Sequence, residues 1–256
     1  MSSPKTFDSC CLKSFTWDGT PTGHEATLAN NKTYITGSNP NAAVLYIHDV
    51  LGWDFSNARL LADHFAREAN VTVYLPDFFG GELLDKEKVQ AGKWDELDLP
   101  GFKARNSRVI REPEILAAAR ALRSKPYSYP KLGAVGYCYG GWAVCRLAAF
   151  SHDSQPLVDA IVCAHPSLII KQDFDDIAVP VQFLAPEVDS HFTDELKAYV
   201  FQTMVLEKKG VAMEWTHFPG VKHGCLTKGN EGVEGEREAM IKGKDAAVRW
   251  FRQWLF

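Results

Sequence analysis

Three residues far apart in the chain, Cys138, Asp189 and His223, are of the types that together perform acyl transfer. A thiolate attacks carbonyl carbon, an imidazole takes the thiol proton and later gives a proton to the leaving group, and a carboxylate fixes the imidazole tautomer and stabilises its charged form. Cys138 sits in Gly136-Tyr137-Cys138-Tyr139-Gly140-Gly141, the Gly-x-nucleophile-x-Gly layout of a nucleophile elbow, with cysteine where serine is more usual. The turn from strand to helix is tight, so its neighbours two residues away on either side must be small, which Gly136 and Gly140 satisfy. The helix that follows aims amides and a positive dipole end at the sulfur, which favours thiolate. The Tyr139 amide can donate to an oxyanion, and a second donor is expected from Val50 in the loop after the first central strand.

Each residue also has a plainer reading. Cys138 could be a buried packing cysteine, Asp189 the cap of a helix beginning near Thr193, and His223 a loop histidine. Glu187, two residues before Asp189, is a rival for the acid. What favours the chemical reading is their joint placement: nucleophile, acid and base follow one another in the order Cys138, Asp189, His223, each after an expected strand. His48, His165 and His217 are expected to be structural or to line a pocket.

The elements that must position these residues alternate along the chain. Ala26–Leu28 and Lys32–Thr36, around Asn30-Asn31, read as an edge hairpin. Continuous apolar runs at 42–48, 71–75, 132–137, 158–164, 179–185 and 211–218 read as buried strands. Helical spacing is seen at 56–69, 113–124, 142–150, 193–208 and from Met240 to Trp254. Strand and helix alternation predicts an α/β fold, a mostly parallel central sheet with helices on both faces, in a single domain over 1–256. The irregular stretch 78–111, with Gly80-Gly81 and Leu99-Pro100-Gly101, is expected to be a lid or pocket wall over the sheet's functional edge.

A chain of 256 residues with a net charge of −4 and no basic stripe gives no footing for nucleic acid. No apolar run approaches the roughly 20 residues of a membrane span, and Met1-Ser2-Ser3-Pro4-Lys5 does not open a signal peptide, so a cytoplasmic location is expected. The six cysteines show no zinc-type spacing and no metal site is expected; Cys10 and Cys11 read as free thiols, Cys145 and Cys163 as core, and Cys225 as a candidate pocket residue.

The segments His48-Asp49-Val50-Leu51-Gly52, Pro76-Asp77-Phe78-Phe79-Gly80-Gly81, Gly136-Tyr137-Cys138-Tyr139-Gly140-Gly141, Phe183-Leu184-Ala185-Pro186-Glu187-Val188-Asp189 and His223-Gly224 resemble the dienelactone hydrolase family of the α/β-hydrolase fold, most of all its fungal branch. The resemblance runs from about residue 20 to the end of the chain. It implies a Cys138-His223-Asp189 triad that hydrolyses small lactones or esters without a cofactor. Three departures point away from dienelactone itself. Asp49 stands where the bacterial members have a glutamate. Lys228 stands where related sequences often have an arginine for the substrate carboxylate, and a lysine binds as a point charge rather than a fork. No arginine follows Pro76-Asp77 directly.

The expected activity is therefore hydrolysis of a small-molecule lactone or ester through an acyl-thioester, by a monomer or homodimer. Asp49, Trp53, Phe78 and Lys228 are the expected substrate contacts, in a largely apolar pocket. Two rival outcomes keep the same residues: a cyclase or isomerase that captures the acyl group internally, and a ligand-binding or thiol-sensing protein without turnover.

Overall fold

The computed structural model describes residues 17, 19–85, 88, 93–207 and 210–256. Cys10 and Cys11 lie outside these residues. The main strands are β1 (His24–Leu28), β2 (Asn31–Thr36), β3 (Ala42–Ile47), β4 (Thr72–Pro76), β5 (Lys131–Tyr137), β8 (Ala160–Ala164), β9 (Val181–Val188) and β10 (Met213–Lys222). They form one sheet in the order β1-β2-β4-β3-β5-β8-β9-β10, while Ser151–His152 (β6) and Gln155–Pro156 (β7) make a separate small hairpin. The β1/β2 and β2/β4 pairs are antiparallel, and every pairing from β4 across to β10 is parallel. The hairpin thus sits at one edge of a mostly parallel sheet, as its turn residues predict.

The apolar runs are continuous because both faces are covered. Every residue of β3, β4 and β8 is buried. Helices α1 (Ser56–Ala69) and α8 (Glu236–Leu255) share one face, where Phe65 meets Phe251 and Tyr46. The other face carries α4 (Gly140–Leu147), packed beside α3 (Arg108–Arg123). Side chains of a strand alternate between faces. Gly133 accordingly lies against Phe251 of α8, and Gly136 against Val144 of α4.

Several boundaries differ from the sequence expectation. Helix α3 starts at Arg108, before the proline expected to open it, so Pro113 lies inside the helix. Its first turn is held by Arg108, which donates to both Asp173 oxygens and to the Leu168 carbonyl. Strands β9 and β10 run on together to Val188 and Lys222, with a register irregularity between Phe218 and Lys222 that accommodates Pro219-Gly220. The expected helix 193–208 divides into α6 (Asp194–Val200), capped by the Thr193 hydroxyl, and a π-helical stretch, Phe201–Glu207. Two further short helices, α5 (Lys171–Asp175) and α7 (Cys225–Lys228), had no clear sequence signal because each is barely a turn long.

In the 78–111 excursion the described elements are a 3-10 turn at Trp94–Glu96 and helix α2 (Leu99–Arg105), capped by Asp98 on the Gly101 amide. Buried Asn106 ties it down: its side chain donates to Glu82, and its carbonyl accepts from the Tyr139 hydroxyl at 2.9 Å. The excursion is thereby fastened to the elbow. Among the described residues no helix is long and apolar enough to cross a membrane.

Candidate active site

Strand β5 delivers Cys138 and helix α4 carries the chain away. Cys138 adopts φ of +49°, a left-handed conformation that costs a non-glycine residue energy and must be held by its surroundings. Three hydrogen bonds hold it. Its amide donates to the Ala164 carbonyl at 3.0 Å, and its own carbonyl accepts from Gly141 at 3.0 Å and Ser167 at 2.8 Å. The two glycines allow the turn to close: a Cβ on Gly136 would stand 2.1 Å from the Gly140 oxygen, and one on Gly140 would stand 2.2 Å from the Ile47 oxygen.

Beyond the end of β9, Asp189 folds inward. One carboxylate oxygen accepts from the His191 and Phe192 amides at 2.8 and 2.9 Å, and both oxygens lie 2.9 Å from His223 Nδ1. The residues of the alternative readings have separate contacts here. Thr193 caps its own helix, so Asp189 is free for the histidine, while the exposed Glu187 carboxylate accepts from the Gly220 amide at 2.6 Å.

His223 follows β10, with its amide on the Val188 carbonyl. Burial of the ring opposes its charge, but Cys138 and then Asp189 overcome this and raise its pKa to about 10. Cys138 acts on the ring both as a charge and as a hydrogen-bonding group. Asp189 shows the complementary shift: burial favours its neutral form, but the His223 charge, the hydrogen bond to it and the Phe192 amide lower its pKa to about 2. His165 and His191 pack against the His223 ring, with centroids 4.9 and 4.7 Å away. His165 is fully buried, and burial together with the His223 charge lowers its pKa to about 3, so it meets the imidazolium as a neutral ring.

The loop after β3 completes the group. Its Asp49 is 5% exposed, with one oxygen on the Leu51 amide and the other accepting from the Thr227 hydroxyl, each at 2.8 Å. Burial and then the Cys138 charge raise its pKa to about 6, against the pull of Thr227, Leu51 and Lys228. Lys228 lies 5% exposed, folded back so that a Cβ on Gly224 would stand 2.9 Å from its Nζ. Trp53 is buried with the Arg59 guanidinium 4.7 Å over its ring, and Phe78 is fully buried beside His48.

The structure therefore brings together Cys138, His223 and Asp189, with Asp49 and Lys228 close by and the Tyr139 and Val50 backbones at the ends of β5 and β3. Sequence reasoning missed two neighbours. The Ser167 hydroxyl lies 3.6 Å from the Cys138 sulfur, and Thr227 fixes Asp49. Ser167 had one usable signal, its position just after β8 in His165-Pro166-Ser167; Thr227 had none. Cys225 is fully buried at the start of α7, and Cys145 and Cys163 are core thiols 3.8 Å apart. Among the described residues no group of three or more His, Cys, Asp or Glu could hold a metal ion.

Comparison with known proteins finds relatives along most of the chain. A sequence model described as the dienelactone hydrolase family matches residues 30–255. A fungal protein, hydrolase tropI of Talaromyces stipitatus, is 30% identical over 253 residues, covering 96% of each chain. The human carboxymethylenebutenolidase homolog is 34% identical over 236 residues, covering 91% of this chain and 90% of its own. The crystal structure of a dienelactone hydrolase from Anabaena variabilis superposes with a TM-score of 0.63 at 17% identity, over 92% of this chain and 98% of that one.

Proposed function

Because the chain belongs to the dienelactone hydrolase family and is a carboxylic ester or lactone hydrolase of that type, we propose that it works through a Cys138-His223-Asp189 triad and an acyl-thioester on Cys138. The observation that carries this reading is the geometry around His223: Nδ1 is held by both oxygens of Asp189, while Cys138 acts on the same ring.

The Cys138 sulfur attacks the acyl carbon, and the oxyanion is received by the Tyr139 and Val50 amides. Collapse breaks the carbon–oxygen bond of the ester or lactone, and the leaving alkoxide takes the Nε2 proton of His223. The thioester carries no charge, so the largest influence raising the His223 pKa disappears on acylation. The ring then becomes a base, removes a proton from water, and the resulting hydroxide releases the acid and restores the thiolate. The same imidazole thus serves as acid in one half-reaction and base in the other because its neighbour changes charge.

Asp49 interacts electrostatically with Cys138 and, with the opposite sign, with Lys228. We assign Lys228 to an anionic group of the substrate, with Asp49 beside the nucleophile and Trp53 and Phe78 as apolar walls. Turnover of a panel of activated esters and small lactones in oxygen-18 water tests this function. One solvent oxygen in each acid product, lost in Cys138→Ala, is expected; product without solvent oxygen would indicate internal capture and overturn the hydrolytic reading.

A further inference from the structure

His48 occupies the last position before the loop that carries Val50, and it is fully buried. Both ring nitrogens are engaged. The Phe78 amide lies 3.1 Å from Nε2, and an amide can only donate, so Nε2 is the acceptor. The proton of the neutral ring is then on Nδ1, which donates to the Asp49 carbonyl at 2.8 Å. Phe79 packs edge-on at a centroid distance of 4.5 Å and Phe78 stacks at 6.3 Å, which leaves the ring one orientation.

The Asp49 carbonyl and the Val50 N–H belong to one planar trans peptide and point in opposite directions. Fixing the oxygen therefore fixes the hydrogen. The use of the neighbouring amides shows what is left over. Leu51 donates to the Asp49 carboxylate at 2.8 Å and Gly52 to the Asp49 carbonyl at 3.2 Å. The Val50 amide has no acceptor among the described residues. The loop lies against the elbow, since Ile47 pairs with Gly136 and the Ile47 carbonyl touches Gly140.

We propose that His48 is a positioning residue for catalysis: its Nδ1–H grips the Asp49 carbonyl so that the Val50 N–H of the same peptide faces the oxyanion of the acylation transition state. Donation to the carbonyl also polarises the peptide and strengthens its N–H as a donor. The aromatic pair Phe78-Phe79, from the end of β4, thereby acts on the reaction through a histidine at the end of β3. This inference rests on the cysteine mechanism proposed above.

Two reactions of Cys138 separate an oxyanion effect from other effects. Acylation by 4-nitrophenyl acetate passes through an oxyanion, whereas alkylation by iodoacetamide does not. Both rates are measured on the wild type, on His48→Asn, whose amide can reach the Asp49 carbonyl from the place of Nδ1, and on His48→Leu and His48→Phe, which keep apolar bulk and lose the donor. Either apolar variant suffices if the other does not fold. The apolar variants are expected to acylate about 10–100-fold more slowly, with alkylation unchanged and His48→Asn close to wild type. Equal acylation in all variants, or acylation and alkylation falling together, would overturn the proposal. Wild type that is alkylated but never acylated at Cys138 would instead overturn the cysteine mechanism, and the inference with it.

Discussion

Asp189 presents both carboxylate oxygens to His223, each 2.9 Å from Nδ1, while backbone amides of His191 and Phe192 pin one of those oxygens. The ring is therefore held in one direction, with its Nδ1 proton on the acid and Nε2 turned away from it. Asp189→Asn is expected to lower kcat by roughly 10³–10⁴-fold with little change in KM, because an amide in that place no longer enforces the tautomer or supports the charged ring. Glu187→Gln, whose carboxylate accepts from the Gly220 amide and does not reach the histidine, is expected to stay near wild type. Steady-state kinetics on one activated ester distinguishes the two; a larger loss in the Glu187 variant would reverse the assignment.

The charge state of His223 depends on Cys138. With the cysteine present, the ring is expected to keep its proton until about pH 10. A histidine with a raised folded pKa contributes stability that is present below its unfolded value and disappears as pH rises through the folded value. The contribution should therefore fade between about pH 6.5 and 10. In Cys138→Ser the largest influence raising the pKa is gone, and the ring should titrate at lower pH. Ring NMR signals across this range report both proteins, and coincident titrations would contradict the ion-pair picture.

Asp189 sets the acid side. Its carboxyl moves from 3.8 to about 2, so its stabilising contribution is present above the unfolded value and is lost as pH falls toward about 2. A shift of this size corresponds to about 2 kcal/mol. Thermal melts of wild type should lose stability through that window more steeply than melts of Asp189→Asn.

Gly140→Ala is expected to be severe, since the added carbon would meet the Ile47 carbonyl oxygen at 2.2 Å and neither backbone can yield without opening the elbow. Overpacking of this kind costs about 1–3 kcal/mol where side chains can shift, and more where backbone must. Gly232→Ala, where the backbone is likewise outside the left-handed region and an added carbon meets only the Asn230 side-chain oxygen at 3.2 Å, separates the backbone clash from the general effect of replacing a glycine. Denaturant midpoints that match in the two variants would show that the close approach does not matter.

The elbow and the order of the three residues were legible in the sequence because their requirements are local: two small residues around a nucleophile, and polar residues directly after apolar strands. The choice between Glu187 and Asp189 was not, because both stand at the end of the same strand. It is decided by the turn at His191-Phe192, whose amides draw Asp189 inward. Thr227 and the double engagement of His48 were illegible, and Ser167 was legible only as a polar residue after β8, for a different reason. Each depends on contacts across the sheet edge, from β8 to β5, from α7 to the β3 loop, and from β4 to β3, and a single chain carries no spacing signal for those. The π-helical stretch was hidden because its apolar residues also fit helical spacing.

The acyl-thioester is the central claim, and rapid-quench intact-protein mass spectrometry tests it most directly. Wild type mixed with 4-nitrophenyl acetate for a short, varied time should gain one acetyl group that peptide mapping places on Cys138, appearing and then decaying as product is released, with no such adduct in Cys138→Ala. Turnover without an adduct on Cys138 at any time, or undiminished turnover by Cys138→Ala, would contradict the account.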